Sequence, residues 1–405
     1  MLLALVNGVK GGKWFSLIDK VCRAKTLAAA WSRVEANKGA AGVDGQSIER
    51  FAAKADEYLH ELSEVLREGR YRPQAIRRVE IAKDGGGVRP LGIPAVKDRI
   101  VQQAMRLVIE PIFEAGFSDG SYGFRPGRGA KDALREVDGL LKDGFTYVVD
   151  ADLRSYFDTI PHDELMARIE DRISDGRVLA VLRSWLEADI LNGLERWTPT
   201  QGTPQGAVIS PLLANIYLDP LDHLMAGHGY RMVRYADDFV ILSDSLEAAQ
   251  AALELVRTWV AEAGLELHPS KTHVGDCRQP GQGFEFLGYR FEAGRRYVRK
   301  KSLKRLKDKI RRKTRRTEGR SLTAVIVDVN RTTRAWYEYF KHADKYTFKV
   351  LDQTIRRRLR AMLRAYSGRR GQGHTHEDHR SWANAFFAEA GLFALYTAWQ
   401  TARQS

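Results

Sequence analysis

The chain has 405 residues, of which 44% are hydrophobic and 29% charged, proportions that are typical of a folded protein with a large core. No apolar run reaches the roughly 18 residues of a membrane-spanning helix, and the apolar stretch at the start is too short for a secretory signal peptide. Two cysteines, Cys22 and Cys277, argue against a disulfide scaffold and against a cysteine-built zinc site, and they suit a reducing cytoplasm.

The charge is distributed unevenly along the chain. The formal net charge is +14, and residues 295–405 hold 29 Lys and Arg against 9 Asp and Glu. A polyanion is the partner that such a segment predicts. A solvated charged helix is the alternative, which is less favoured because basic residues as dense as those of 294–320 repel one another unless something neutralises them.

The first part of the chain alternates helix and strand patterns. Apolar spacing predicts helices over 17–37 and 47–69, and the glycine-rich segment 37–47 separates them. Ser47 is placed to cap the second helix and Gly69 to end it. Alternation around a triple glycine predicts a hairpin over 76–94, and a helix follows over 98–113.

The remaining elements continue this mixed pattern. A strand is predicted over 146–157, a mainly helical stretch over 161–189, a long helix from about 209, a strand pair over 231–242 and a helix over 246–263. Short strands precede the basic region, where Leu303, Leu306 and Ile310 recur at helical spacing. The charge shift predicts a domain boundary near residue 298.

The stretch RMVRYADDFVIL, residues 231–242, places the adjacent acids Asp237 and Asp238 inside an apolar run. The pattern predicts a hairpin of buried strands whose turn carries both carboxylates. Buried carboxylates are costly unless they are paired or bind a cation, and two side by side favour a hard divalent cation, Mg²⁺ above all. A solvent-facing turn that needs no metal is the alternative.

A two-metal phosphoryl-transfer site needs a third carboxylate. The stretch YVVDADLRSYF offers Asp150 and Asp152, which are two residues apart and therefore share one face of a regular strand. This spacing does not choose between them, because one can be a ligand and the other a structural partner.

Several blocks, in order along the chain, resemble the reverse transcriptases of bacterial group II introns. The similarity runs from about residue 17 to the C-terminus. The blocks are KDGGGVRPLGIPAVKDRIVQQA (83–104), SYGFRPGRGAKDAL (121–134), DADLRSYFDTIPHDEL (150–165), TPTQGTPQGAVISPLLANIYLDPLD (198–222), YADD (235–238) and GFEFLGYRF (283–291).

This resemblance implies an α+β fold, a right-hand polymerase whose fingers and palm combine an antiparallel sheet with helices and whose thumb is helical. It implies an N-terminal extension over 1–75 with a template-contacting loop at 37–47, fingers and palm over 76–297, and a helical thumb or maturase (X) domain over 298–405. A simple helix connector is the alternative for the loop.

The resemblance also implies the catalytic residues. Asp152, Asp237 and Asp238 match the metal ligands, with the backbone carbonyl of Leu153 beside Asp152, and together they would hold two Mg²⁺ ions. Phe157 matches the bulky residue under the nucleotide sugar, where a ring clashes with a 2′-hydroxyl. Without the family match, a core aromatic is the favoured interpretation of Phe157.

Further positions match the family's nucleotide-binding residues. Lys83 and Arg89 flank the triple glycine. The compact ammonium charge of a lysine and the planar guanidinium of an arginine, which can donate two hydrogen bonds at once, suit a triphosphate. Gln205 matches the residue near the nucleotide sugar and fingers. Lys271 matches a palm lysine near the nucleotide or primer end, and an exposed turn lysine is an equal alternative.

The basic region matches the family's thumb. Lys304, Lys307, Arg311 and Arg315 are expected near one helix face, where they would contact phosphates. The aromatic residues of TRAWYEYF, which are Trp336, Tyr337 and Tyr339, could stack on bases, but packing between helices is favoured. For the His-rich segment 373–379, a solvated loop or an RNA contact is favoured over a metal site.

The sequence therefore predicts an RNA-directed DNA polymerase that copies an RNA template from a DNA primer with dNTPs. As a maturase it would bind its group II intron RNA for splicing and for insertion at target DNA. It would be cytoplasmic and nucleoid-associated, with no membrane partner, and of the short type that lacks the zinc-containing endonuclease module.

Two alternatives remain for the function. One is a free-standing reverse transcriptase with the same core that serves DNA repair or phage defence. The other is a non-catalytic RNA-binding splicing factor, which the intact set of Asp152, Asp237 and Asp238 disfavours. The sequence identifies neither the RNA, nor the target DNA, nor the oligomeric state.

Overall fold

The structure, a computed structural model, describes residues 12–82 and 87–403, and it divides the chain into two compact units, Met1–Val274 and Gly275–Ser405. The predicted domain boundary between residues 297 and 298 lies inside the second unit. Across the described residues, no helix is both long enough and apolar enough to cross a membrane.

Helices are the main elements of the first unit. The helix Ala24–Ala36, for example, buries Leu27, Trp31 and Val34 along one stripe. The helices are α1 Ile18–Val21, α2 Ala24–Ala36, α3 Ile48–Ala52, α4 Ala55–Arg67, α5 Val96–Glu114, α6 Ala130–Lys142, α7 Tyr156–Thr159, α8 His162–Glu170, α9 Gly176–Leu186, α10 Ser210–Gly227 and α11 Leu246–Glu262.

Two predicted helices are each divided in two. The pattern over 17–37 breaks between α1 and α2, and the carboxylate of Asp175 accepts hydrogen bonds from the amides of Leu17 and Ile18 at 2.7 and 2.9 Å. The predicted helix over 47–69 is divided into α3 and α4. Ser47 caps α3 by accepting a hydrogen bond from the Arg50 amide, as predicted.

A four-stranded sheet carries the acidic hairpin. Its strands are β3 Tyr147–Asp152, β6 Arg231–Tyr235, β7 Asp238–Ser243 and β8 His273–Asp276, in the order β6-β7-β3-β8. The central strands β3 and β7 are antiparallel, and β6 and β7 form the predicted hairpin. Val149 and Ala151 of β3 are buried in the core, so Asp150 and Asp152 lie on the other face of the strand.

A second four-stranded sheet contains the predicted glycine hairpin. Its strands are β1 Ile76–Ala82, β2 Val88–Ile93, β4 Ile190–Asn192 and β5 Glu195–Trp197, in the order β2-β1-β4-β5. The strands β1 and β2 pair antiparallel from Arg77 opposite Ile93 to Ala82 opposite Val88.

The second unit combines a small antiparallel sheet with a set of helices. The strands β9 Phe284–Phe286, β10 Tyr289–Glu292 and β11 Arg295–Val298 are arranged in the order β11-β10-β9. The helices are α12 Lys300–Lys313, α13 Leu322–Phe340, α14 Lys345–Tyr366, α15 His376–Ser381, α16 Asn384–Glu389 and α17 Leu395–Thr401.

Candidate active site

Strand pairing brings the three predicted catalytic aspartates together. Asp152 is the last residue of β3 and pairs directly opposite Asp238, the first residue of β7. Asp237 lies in the turn between β6 and β7, next to Asp238. The register of three strands therefore places carboxylates that are 85 residues apart in sequence at one end of the sheet.

The carboxylates interact electrostatically. Burial raises the pKa of the Asp237 carboxyl above its usual value, and the charge of Asp152 raises this pKa further. The guanidinium groups of Arg89 and Arg234 act in the opposite direction on the same pKa. Arg89 itself lies exposed on β2, and its contact with a triphosphate stays a prediction.

Lys271 forms an ion pair with the carboxylate of Asp152. The lysine side chain is 58% exposed, so it can leave this partner for another one. The structure thus places Lys271 at the aspartates.

The donor set at this end of the sheet consists of hard oxygen atoms. The backbone of Leu153 lies opposite Leu267, and the two hydrogen bonds beside this bridge use the Asp152 carbonyl and the Arg154 amide. The Leu153 carbonyl takes no part in those two bonds. Among residues 12–82 and 87–403, no three His, Cys, Asp or Glu side chains are arranged as a ready metal site.

A buried arginine, Arg234, donates a hydrogen bond to the backbone of the acidic turn. The sequence reasoning missed this residue. Arg234 of β6 is fully buried and makes a two-pronged ion pair with Asp222 of α10. Its Nη1 donates to Asn215 Oδ1 at 3.0 Å and to the Ala236 carbonyl at 2.8 Å, and its Nη2 donates to Ser121 Oγ at 2.8 Å. An arginine within an apolar strand was the available signal, because such a charge needs a buried partner.

Arg234 supports an unfavourable backbone conformation at Ala236, whose carbonyl accepts one of its hydrogen bonds. Ala236 has a φ of +61°, in the left-handed region that favours glycine. The segment around Gly123 packs directly on this turn, since a Cβ atom at Gly123 would lie 2.3 Å from the Ala236 nitrogen. Asn215 fixes the same segment by donating to the Gly123 carbonyl at 2.8 Å.

Two predicted nucleotide-binding residues line one cavity of about 320 Å³. Phe157 and Gln205 both border it, together with Arg78, Trp197 and Thr203. The hydroxyl of Thr203 is buried and has no hydrogen-bond partner among the described residues. The cavity therefore has aromatic residues in its wall, and one of its lining residues carries a buried hydroxyl without a partner.

Close backbone contact positions Gln205 against the hairpin. The Gly92 amide of β2 donates to the Gln205 carbonyl at 2.7 Å. Gly206 has a φ of +111°, and a Cβ atom there would lie 2.7 Å from the Gly92 carbonyl oxygen. Lys83, the other predicted phosphate-binding residue of the hairpin, lies outside the described residues, as does part of the triple glycine.

Asp150 lies on the same strand face as Asp152 and is half-buried opposite Val240. Its position does not decide between a ligand and a structural partner.

The glycine-rich loop 37–47 packs on the start of α5, where Arg99 donates to the Ala40 carbonyl at 2.7 Å. A Cβ atom on Gly42 would lie 2.6 Å from the Ala95 Cα atom. Its contact with a template stays a prediction.

In the second unit, α12 carries three of the four predicted phosphate contacts. Lys304 and Arg311 are exposed, Lys307 is half-buried, and Leu306 and Ile310 are buried. The expectation that Arg315 lies on this helix face is wrong, because α12 ends at Lys313 and the chain turns at Thr314.

Aromatic and His-rich segments of this unit have clear packing roles. Tyr337 is buried, and the ring of Trp336 lies 4.7 Å from that of Phe340. The segment 373–379 begins α15, where Thr375 and Asp378 form a capping box and Asp378 pairs with Arg364 at 2.7 Å.

The two sheets and the aspartate end define a class of protein, the template-directed polymerases with a fingers-and-palm fold. A family model, "Reverse transcriptase (RNA-dependent DNA polymerase)", matches residues 81–291, more than half of the chain. A second model, "Group II intron, maturase-specific domain", matches residues 303–378. The chain belongs to the reverse transcriptase family, in its group II intron branch, which confirms the predicted family, fold class and enzyme class.

Individual relatives agree with this assignment. "Protein YkfC" of Escherichia coli (strain K12) is 37% identical over 319 residues, which cover 68% of this chain and 82% of that protein. "Group II intron-encoded protein LtrA" of Lactococcus lactis subsp. cremoris is 36% identical over 196 residues, which cover 48% of this chain and only 32% of LtrA.

A solved structure shows a weaker similarity. A chain of the "Partial Cas6-RT-Cas1--Cas2 complex" is 26% identical, and the match covers 61% of this chain and 42% of that chain with a TM-score of 0.39. This similarity is too low to support an argument about the site.

Proposed function

We propose that the chain synthesises DNA on an RNA template with Asp152, Asp237 and Asp238 as its catalytic carboxylates. The observation that carries this proposal is the strand register, which sets Asp152 opposite Asp238 and beside the turn residue Asp237. Carboxylates from different strands that converge at one sheet end suit the in-line displacement of pyrophosphate from a dNTP.

The proposed cofactor is Mg²⁺, two ions held by the three aspartates and the Leu153 carbonyl. The donor chemistry fits, because hard oxygen atoms are the ligands that Mg²⁺ prefers. Burial and the charge of Asp152 both raise the pKa of Asp237, and Lys271 pairs with Asp152, so a cation would relieve the repulsion between these carboxylates. When bound, Mg²⁺ supplies activation of the primer 3′-hydroxyl and stabilisation of the leaving pyrophosphate.

Residues of the first unit would position the incoming nucleotide. Arg89 and Lys83 are proposed to bind the triphosphate, and Phe157 and Gln205 to contact the sugar from the cavity that they share. Lys271 would hold the nucleotide or the primer end, because it is exposed and already lies at Asp152.

The second unit is proposed to bind group II intron RNA, which makes the chain a maturase that promotes splicing and insertion at target DNA. The observation that supports RNA binding is charge: this region holds most of the basic excess, and Lys304, Lys307 and Arg311 of α12 are accessible. The exposed Arg315 would act from the turn that follows α12.

Primer extension on a poly(A) template with an oligo(dT) primer and Mg²⁺ tests the proposed catalytic residues. Asp152→Ala and Asp237→Ala should each abolish cDNA synthesis while RNA affinity persists, because the basic region supplies that affinity. Asp244→Asn, an exposed acid just beyond β7, is the matched control and should retain synthesis.

Two results would contradict this division of roles. Synthesis by either alanine variant at the wild-type rate would remove that aspartate from the site. Joint loss of synthesis and RNA binding in a folded variant would show that the aspartates serve both. Asp150→Asn in the same assay decides whether this residue takes part.

A further inference from the structure

A row of cations and aromatic rings lies on the surface of the second unit, across α14 and α17. We call it the aromatic ladder. Its members come from the first turns of α14 and from α17 with the residues just after it: Lys345, Tyr346, Lys349, Tyr396, Trp399 and Arg403.

Each neighbouring pair in the aromatic ladder is in contact. The ammonium group of Lys349 lies 5.6 Å from the ring centre of Tyr346 and 4.6 Å from that of Tyr396. The rings of Tyr396 and Trp399 are nearly parallel, at 11°, with centres 5.9 Å apart. The guanidinium of Arg403 lies 4.5 Å from the Trp399 ring centre. The row therefore continues from one helix to the other without a break.

The two helices are fixed to each other at this place. The carboxylate of Asp352, a buried residue of α14, accepts hydrogen bonds from the amides of Leu395 and Tyr396, both at 3.0 Å. Leu395 is fully buried beside it. The backbone that carries Tyr396 is thus held in place before any partner binds, which lowers the entropy cost of binding.

The aromatic ladder is accessible and lies in basic surroundings. Tyr346 is 58% exposed, and Tyr396 and Trp399 are half-buried, so each ring keeps part of its surface open to solvent. The helix α14 contains Asp352 as its single acid against seven Lys and Arg, and α17 contains no acid. Asp344, at the start of α14, caps the Tyr346 amide at 2.9 Å.

We propose that the aromatic ladder binds unpaired nucleotides of RNA. Lys349 and Arg403, which lie against the rings of Tyr396 and Trp399, would turn with Lys345 to the phosphates, and the ring faces that they leave would stack on bases together with Tyr346. Aromatic rings beside cations are the combination that single-stranded nucleic acid recognises, because bases offer flat faces and the backbone offers charge. This inference rests on the RNA binding proposed above and assigns it a second location, on α14 and α17.

Single strands fit this surface better than duplexes do. Bases in a duplex are already stacked on one another and leave only phosphates and groove edges for contact. A surface that needed phosphates alone would gain nothing from three aromatic rings. Preference for unpaired RNA is therefore the property that distinguishes the aromatic ladder from a general basic surface.

Fluorescence anisotropy with the full-length chain tests the proposal. The probes are a labelled 12-nucleotide RNA of mixed, non-self-complementary sequence and the blunt duplex of the same sequence, both at constant salt. Tyr396→Ala and Trp399→Ala should each weaken binding of the single strand by about fivefold or more, with a smaller effect on the duplex. RNA that contains 4-thiouridine should crosslink to peptides of α14 and α17.

Conservative and distant variants serve as controls. Trp399→Phe keeps a ring and should restore most of the affinity that Trp399→Ala loses. Phe386→Ala removes a 36% exposed aromatic of the same unit that lies outside the aromatic ladder, and it should leave affinity unchanged. Thermal unfolding of each variant checks that the fold persists.

Three outcomes would overturn the proposal. Unchanged single-strand affinity in both alanine variants, with lower thermal stability only, would make the rings a structural feature. Equal losses for single strand and duplex would reduce the surface to phosphate contacts. Crosslinking of a protein partner to α14 and α17, without RNA crosslinks, would assign the surface to protein binding.

Failure of this proposal can be distinguished from failure of the proposed polymerase function. If the wild-type chain makes cDNA and the ladder variants bind RNA normally, only the aromatic ladder fails. If the wild-type chain makes no cDNA and the ladder variants bind single strands more weakly than the wild type does, the polymerase proposal fails and the aromatic ladder stands.

Discussion

At the scale of single residues, the ion pair between Arg234 and Asp222 supports the turn that carries Asp237, a proposed catalytic residue. Both side chains are 1% exposed, so neither charge has water to replace a lost partner. Asp222→Ala should therefore lower the free energy of unfolding by about 3–5 kcal/mol, measured by urea denaturation.

An exposed ion pair of the same unit provides the control for this prediction. Arg154 and Glu266 pair at 3.1 Å with side chains that are 59% and 60% exposed. Glu266→Gln should change the free energy of unfolding by less than about 1 kcal/mol. Equal effects in the two variants would mean that Arg234 finds another partner when Asp222 is removed.

Phe157 gives a residue-scale prediction about sugar selection. Its ring borders the cavity that Gln205 also lines, so its removal enlarges this cavity, in which we propose that the nucleotide sugar lies. Phe157→Ala should increase incorporation of ribonucleotides relative to deoxynucleotides, measured in single-nucleotide primer extension. Tyr156→Phe, which removes only a buried hydroxyl bonded to the Ala214 carbonyl, is the control. An unchanged preference in Phe157→Ala would reject the assignment.

Asp98 makes the stability of the first unit depend on pH. Burial raises the pKa of its carboxyl to about 6, even though the Tyr71 hydroxyl and the Gln74 amide donate to it. Because the folded state holds this proton more tightly than the unfolded state, the stabilising contribution is complete below the unfolded pKa of 3.8 and is lost as pH rises through about 6.

Comparison with Asp98→Asn isolates this effect, since asparagine does not titrate. The free energy of unfolding of the wild type, relative to that of the variant, should fall by about 2–3 kcal/mol between pH 4 and pH 8. Denaturant titrations at several pH values measure the difference. A constant difference would show that the carboxyl has an ordinary pKa.

At the scale of elements, the contact between the 121–123 segment and the β6–β7 turn controls the position of the aspartates. A methyl group on Gly123 would lie 2.3 Å from the Ala236 nitrogen, so one of the two backbones must move. Gly123→Ala should reduce the rate of cDNA synthesis by at least about tenfold, because a displacement near 1 Å can cost that much or more.

Gly139→Ala is the matched substitution in a helix. A Cβ atom at Gly139 has no neighbour within 4 Å, and its φ is not positive, so this variant should gain about 0.5–1 kcal/mol of stability and keep full activity. Wild-type synthesis by Gly123→Ala would show that the turn tolerates the movement.

The strands of the palm were predictable, but several helix ends were not. Apolar runs with polar ends predicted β3, β6 and β7, because their pattern is local. The start of α1 is fixed by Asp175, whose carboxylate accepts from the Leu17 and Ile18 amides from 158 and 157 residues away, and no local pattern reveals this contact.

The same contrast applies to the candidate site. Asp237 and Asp238 were evident as acids within an apolar run, and family resemblance selected Asp152. The support of Arg234 was missed because its partners come from two distant segments, with Ser121 before α6 and Asn215 and Asp222 on α10. Spacing cannot report a network that only folding assembles.

At the scale of the whole molecule, the uneven charge predicts strong salt dependence of RNA binding. Phosphate contacts release counterions, so the logarithm of affinity should fall linearly with the logarithm of salt concentration. Lys304→Gln with Lys307→Gln should reduce the steepness of this line by about two phosphate contacts. Titrations of labelled RNA at several salt concentrations measure the slope.

Lys142→Gln removes a lysine of the first unit that pairs with Asp138 at 2.8 Å, and it should leave the slope unchanged. A flat salt dependence in the wild-type chain would count against phosphate contacts in the basic region.

The pairing of Asp152 with Asp238 makes the site depend on which face of its strand each residue occupies. Side chains alternate between the two faces of a strand, so a shift of one residue between β3 and β7 would turn Asp152 away from Asp238 altogether. No intermediate alignment offers a partly formed site. Molecules with wrongly paired strands should therefore be inactive and not merely less active. The total activity of a preparation should then be proportional to the fraction of its molecules that are correctly paired.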